Sequence, residues 1–244
     1  MTQADPPGST GSARGNGAPD AAGYYRAALS GERLQRVYAI APPRVRRCLQ
    51  AEIDYLRARL GPSDDVLELG CGYGRVMLEL APRVRGIMGV DLAPESLELG
   101  RKLAGGDSRV EFLEMNALDL TFPDNLFDAV VCVQNGICAF RVNPEKLVLE
   151  ALRVTRRGGR AIFSSYAAGF WPHRLEWFEL QAREGLVGEI DRERTGGGLI
   201  VCKDGFRAGT MEVGDFQSLC ARLRLQAEIV EVDGSSVFCA ILKR

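Results

Sequence analysis

Apolar and polar positions alternate between two periods along most of the chain. Short apolar runs predict strands over 65–69, 86–90, 109–113, 127–133 and 159–165, and the segments between them carry apolar spacings of three and four that predict helices over 74–81, 94–104 and 144–155. Strands that alternate with helices argue for a parallel sheet with right-handed crossovers. Local signals agree: Pro94 suits a first helical position, Asn143-Pro144 reads as a cap followed by proline, and Gly158-Gly159 closes the helix before it.

The two ends of the chain read differently. Residues 1–22 are rich in Gly, Pro, Ser and Ala and offer too little apolar surface to offset the entropy of ordering, so a disordered tail is expected there. From Tyr24 to Leu60 the pattern is helical, broken near Pro42-Pro43, with Leu49, Ile53, Leu56 and Leu60 on one face. At the other end, a helix near 214–224 precedes two strand-like runs, 225–233 and 236–242, whose joint at Asp233-Gly234-Ser235 is short enough to force an antiparallel pair. The expected fold is therefore α/β: a seven-stranded, doubly wound, mostly parallel sheet with a C-terminal antiparallel hairpin, a helical cap over 23–60 and an insertion after the fifth strand. A main domain over 61–244 would carry that insertion, residues 166–212, which reads as an aromatic helix plus a glycine-turned hairpin around Thr195-Gly-Gly-Gly198, placed as a substrate lid.

Composition narrows the partners. With 31 basic against 32 acidic side chains, no overall positive field attracts nucleic acid, so a small-molecule substrate is favoured. Seven scattered cysteines without a Cys-x-x-Cys pair suit reduced thiols in the cytoplasm. Apolar runs such as Ala129–Val133 are far too short to span a bilayer, and the N-terminus has neither the basic start nor the apolar stretch of a signal peptide. Oligomeric state is not readable from the sequence.

The chemistry concentrates where the first strand enters Gly70-Cys71-Gly72-Tyr73-Gly74. Three glycines at alternate positions after a strand make a nucleotide-cradling turn, and Asp91, 21 residues after Gly70 at the end of the second strand, stands where a doubly wound sheet places a ribose-binding carboxylate. An adenosine-containing cofactor is expected. Glu68, on the strand before the turn, would repel a pyrophosphate, and the spacing is not Gly-x-Gly-x-x-Gly, both of which tell against a dinucleotide-dependent oxidoreductase.

Residues 60–165 and the terminal hairpin resemble the class I S-adenosylmethionine-dependent methyltransferases. The resemblance rests on Glu68-Leu-Gly-Cys-Gly-Tyr-Gly74, on Asp91, on Asn116-Ala-Leu-Asp119 and on Phe127-Asp-Ala-Val-Val-Cys-Val-Gln-Asn-Gly136, in that order. It implies S-adenosyl-L-methionine as cofactor, held by Glu68, Gly70, Cys71, Gly72, Gly74, Asp91, Leu92, Asn116, Ala117, Leu118 and Gln134. Asn116 stands where that family usually has Asp; its amide oxygen accepts a hydrogen bond less strongly than a carboxylate would. Methyl transfer from a sulfonium is an in-line displacement whose main demand is alignment, and a base is needed only for a protonated acceptor. Asn135, at the floor of the implied reaction centre, and Trp171, in the insertion, are the candidates for substrate contact. His173, the single histidine, and Tyr166, at the end of the fifth strand, are the candidates for proton removal. Each has a plainer reading: Asp91 can cap a helix, Asn116 can serve a turn, His173 can be a surface residue, and Tyr24, Tyr25 and Tyr38 can pack rather than close over a cofactor. A binding module that keeps the pocket without catalysis also fits, since transfer has no obligatory side chain.

Overall fold

In the computed structural model, which describes Tyr24 and residues 28–244, the apolar runs become strands whose order follows from their crossovers. The expected tail and Tyr25 lie outside the described residues. Strands β1 (Asp65–Leu69), β2 (Gly86–Asp91), β3 (Val110–Glu114), β4 (Phe127–Cys132) and β5 (Thr155–Tyr166) are parallel; β6 (Ile200–Val201) and β7 (Arg207–Ala208) form a small separate sheet; β8 (Ala227–Val232) and β9 (Ser236–Leu242) complete the main one. The main sheet runs β3-β2-β1-β4-β5-β9-β8, with β9 antiparallel to both neighbours. Its order reverses between β1 and β4, and the crevice at the carboxyl ends of such strands is where open α/β sheets bind ligands.

The helices are α1 (Gly31–Ala39), α2 (Pro43–Arg57), α3 (Arg75–Leu80), α4 (Pro94–Ala104), α5 (Gly136–Ala139), α6 (Pro144–Val154), α7 (Trp171–Arg183) and α8 (Val213–Leu223). The two-residue period of the strands divides the core. Val66, Ile87, Ala129, Val131 and Ile162 pack with Ile53 and Leu56 of α2, Met77 and Leu80 of α3 and Leu97 of α4. Their neighbours Leu67, Leu69, Val130 and Phe163 face the opposite way, against Leu147 and Val148 of α6 and Phe216 and Leu219 of α8. β4 is buried at every position because both faces are covered. A third cluster joins Val37 of α1 and Cys48 and Leu49 of α2 to Phe170, Trp177, Phe178, Ile200 and Phe206 of the insertion, so cap and insertion share one apolar core.

Three local outcomes differ from the sequence pattern. The helix before β5 ends at Val154 rather than at Gly158-Gly159: the Thr155 hydroxyl donates to Ala151 O (2.7 Å), and Thr155 pairs with Phe127 ahead of a bulge. α5 was not expected, since four residues carry no readable period. In the insertion, Thr195–Gly198 does turn the chain, but only isolated bridges follow, Gly196 with Leu199 and Ile190 with Cys202. The regular hairpin is instead β6–β7, closed by Cys202 N–H on Phe206 O (2.9 Å) and by Asp204 Oδ1, which accepts from Phe206 N–H (3.1 Å).

Candidate cofactor and reaction site

At the carboxyl end of β1 the chain must turn sharply while lying against β2. Gly70 N–H and Cys71 N–H both donate to Val90 O, at 2.8 and 3.1 Å. Gly70 has φ of 71°, and a Cβ there would stand 2.4 Å from the Phe140 ring, so both conformation and space call for glycine. Gly72 follows in the same left-handed region and presents its backbone to a cavity of about 450 Å³. Gly74 does not line that cavity: a Cβ on it would meet Phe112 at 2.5 Å, so this glycine sets the approach of α3 to the sheet.

Most of the residues expected at a cofactor converge on this cavity. Glu68, Gly70, Cys71, Gly72, Asp91, Leu92, Asn116, Ala117, Leu118 and Gln134 all line it. Asp91, at the end of β2, uses both oxygens on backbone, accepting from Gly72 N–H (2.9 Å) and Ala93 N–H (2.9 Å). Each oxygen keeps a further lone pair for a hydroxyl donor. Burial pushes the Asp91 carboxyl upward, against the pull of those backbone donors. Asn116 Oδ1 accepts from Leu118 N–H (3.0 Å), so its turn role is realised, with one lone pair left over.

Glu68 differs in kind. It is 4% exposed, and its Oε2 has no hydrogen-bond partner among the described residues. Burial pushes its carboxyl up to about 8, opposed by the nearby Arg75 guanidinium and helped by Asp91. An unmatched carboxylate oxygen at the wall of a cavity fits a cationic amine and rejects a phosphate. The cavity volume also suits a cofactor of nucleoside size. The residues present therefore fit S-adenosylmethionine. Cys71 is buried and its thiol is pushed far above the ordinary range by that burial, with Glu68 and Asp91 adding to the effect, so it serves as small packing.

Several lining residues were not singled out from sequence. Arg75 extends over the Tyr38 ring (4.8 Å to the centroid) and donates to Gln134 Oε1 (3.4 Å). Leu34, Tyr73 and Phe140 close other walls. Tyr38 lines the cavity, whereas Tyr24 donates its hydroxyl to Asp204 (2.6 Å) inside the insertion core. Arg75 had a signal, its place directly after the glycine turn; Leu34 and Phe140 had none, because their approach is set by how cap and loop pack.

The far end of the cavity is built by consecutive left-handed residues, Gln134 (φ 55°) and Asn135 (φ 63°). Such non-glycine conformations persist only where surrounding bonds fix them. Here Gln134 N–H donates to Ser164 Oγ (3.0 Å), and its side-chain Nε2 donates to the Tyr166 hydroxyl (2.6 Å). Asn135, expected as a substrate contact, is 5% exposed and does not line the cavity. Its Nδ2 donates to Gly209 O (3.0 Å), its Oδ1 accepts from Ser165 Oγ (2.7 Å), and Ser165 Oγ accepts from Met211 N–H (2.8 Å). Asn135 thus ties the end of the insertion to the end of β4.

Tyr166 and Trp171 line a second cavity of about 220 Å³ together with Arg174 and Thr210. The Gln134–Tyr166 bond stands between the two cavities, one partner lining each. Burial pushes the Tyr166 phenol far above its ordinary range, a poor setting for a base. His173 is displaced further: its side chain is 43% exposed, faces Glu176 at 4.0 Å and lines neither cavity. It points to another side of α7, about 200° around the helix from Trp171 and about 100° from Arg174, which take the pocket face. Trp177, six residues beyond Trp171, is buried and donates its indole N–H to Val37 O (3.1 Å).

Comparison with known proteins agrees with this geometry. Residues 67–163 match the family described as a methyltransferase domain. The chain is 36% identical over 102 residues to a demethylmenaquinone methyltransferase of Clavibacter sepedonicus, covering 42% of this chain and 41% of that protein. It is 29% identical over 136 residues to a 2-methyl-6-phytyl-1,4-hydroquinone methyltransferase of Synechocystis, covering 51% and 42%. The chain thus spans about two-fifths of the length of these relatives. Among solved structures, the PH0226 protein of Pyrococcus horikoshii superposes with a TM-score of 0.60 at 21% identity, covering 91% of this chain and 98% of that one. The YcgJ protein of Bacillus subtilis superposes with a TM-score of 0.53 at 22% identity, covering 73% and 70%.

Proposed function

We propose that this chain carries a class I S-adenosylmethionine-dependent methyltransferase domain and that the protein transfers the donor's methyl group to a small-molecule acceptor. The observation that carries this reading is that Glu68, one of whose carboxyl oxygens is buried without a partner, lines the same cavity as Asp91 and the glycine turn. The donor, when bound, supplies an already activated methyl on a sulfonium. The protein's part is alignment and exclusion of water.

Glu68 takes the donor's amino group, and Asp91 takes the ribose hydroxyls through the lone pairs its backbone bonds leave free. Leu92, Ala117 and Leu118 give an apolar slot for the base, with Asn116 at its rim. Gln134, fixed by Ser164 and Tyr166, forms the floor toward the acceptor. The acceptor enters from the side of the cap and insertion, where Tyr38, Tyr166 and Trp171 supply aromatic walls. A net charge of −1 without a basic stripe supports a small molecule rather than nucleic acid. No described helix is long and apolar enough to cross a membrane, and seven free thiols favour a reducing compartment, the cytoplasm.

Titration calorimetry with S-adenosylmethionine, S-adenosylhomocysteine and NADH tests the reading. The first two are expected to bind and NADH is not. Absence of binding by both sulfur ligands at millimolar concentration overturns it.

A further inference from the structure

Behind the floor of the donor cavity lies a carboxylate that the proposed chemistry does not use. Glu52 sits within α2 at 2% exposure, among Ile53, Leu49 and Leu56, where its helix faces the core. Its Oε1 accepts from Ser164 Oγ (2.7 Å) and Ser236 Oγ (3.3 Å), while Oε2 has no hydrogen-bond partner among the described residues. An acid placed so deeply is costly unless something else uses its charge.

The bonding fixes the polarity of the group. Ser164 Oγ accepts from Gln134 N–H, so its own proton is directed to Glu52. A line of donors therefore runs from the cavity floor through Gln134 and Ser164 to Glu52, the arrangement that favours an anion there. Burial pushes the Glu52 carboxyl upward, opposed first by Ser164 and then by Arg75, Ser236 and Gln134 N–H. Arg75 lines the cavity, as do Glu68 and Asp91. Two carboxyl groups, Glu52 and Glu68, thus share one guanidinium at this end of the fold. Of the two, Glu52 is the one that lies behind Gln134, reached through Ser164.

On the reading that the cavity holds S-adenosylmethionine, we propose that Glu52 is a specificity residue that favours the cationic sulfonium donor over the neutral thioether product, acting through its charge from behind Gln134. The donor carries one positive charge more than S-adenosylhomocysteine, and the two otherwise share every group that Glu68, Asp91 and the glycine turn would bind. Ionised, Glu52 changes the affinity for the cation and leaves that for the neutral product nearly unchanged. A residue that merely holds the fold would alter both together.

The test compares dissociation constants for S-adenosylmethionine and S-adenosylhomocysteine in the intact protein and in Glu52→Gln, with thermal scans to check folding. The amide keeps an oxygen for both serine hydroxyls and removes the charge. The expected result is about tenfold weaker binding of the methyl donor with less than about twofold change for the product. Ser236→Ala strips one donor from the carboxylate without touching Gln134; it should move the ratio the same way by roughly twofold, and it serves if E52Q does not fold. Equal loss of both ligands, or no change in their ratio, overturns the proposal. Failure of the unaltered protein to bind either ligand overturns instead the reading on which it rests.

Discussion

Asp91 holds the glycine turn and, on the proposed reading, takes the ribose hydroxyls, two tasks that substitution separates. Its carboxylate fastens the glycine turn to the loop after β2 by accepting from Gly72 N–H and Ala93 N–H, both at 2.9 Å. Asp91→Ala leaves both donors beside a cavity that admits water. Hydrogen bonds to a charged group contribute about 1.5–3 kcal/mol each, and rehydration recovers part of this, so the expected loss of unfolding free energy is about 1.5–3 kcal/mol in total. Asp91→Asn keeps one acceptor and turns an amide N–H toward the other backbone donor, so about half that loss is expected. Binding behaves differently, because both oxygens are needed for the two ribose hydroxyls. Loss of two charge-assisted bonds corresponds to roughly a hundredfold weaker S-adenosylhomocysteine in both variants. Urea denaturation of the ligand-free protein and calorimetry supply the two readings. If Asp91→Ala unfolds within about 0.5 kcal/mol of the parent, the carboxylate does not hold the turn and the reasoning fails.

Two further outcomes follow from buried polar groups. Glu68 is raised from 4.5 to about 8, so its contribution to the stability of the ligand-free protein is fully present below pH 4.5 and lost as pH rises toward 8. Glu68→Gln should match the parent at the acid end, exceed its stability above pH 8 by on the order of 2–5 kcal/mol, and bind the methyl donor more weakly; parallel melting curves across this range would refute the assignment. Asn135→Ala removes the bonds to Ser165 and Gly209 and places alanine at φ of 63°, for an expected cost of about 2–4 kcal/mol. Limited proteolysis should then cut the insertion faster, and an unchanged cleavage rate would show that Asn135 is not its anchor.

The sequence by itself determined the sheet, its hairpin and most of the residues that line the cavity at the glycine turn. Periods of two and of three to four are local properties, and so are the turn demands met by Gly70, Gly72 and the Asp233-Gly234 corner, whose φ values of 55° and 62° match a tight hairpin. A turn and the acid that follows it at the end of the next strand are brought together by one crossover, so Asp91 and Gly72 could be paired from spacing alone. Only the tertiary structure decided the acceptor side. Trp171 and His173 occupy similar local contexts in the sequence, yet one lines a cavity and one faces solvent. Their fates depend on how α7 rotates against a core shared by the cap and the insertion, an arrangement between residues more than a hundred positions apart. Glu52 shows the same limit most sharply: a charged residue beside Ile53 and Leu56 reads as a helix edge, and only the packing of α2 across Ser164 and Ser236 buries it. Chain-local signals carry φ, ψ and face; burial of a charge is set by partners the local pattern does not name.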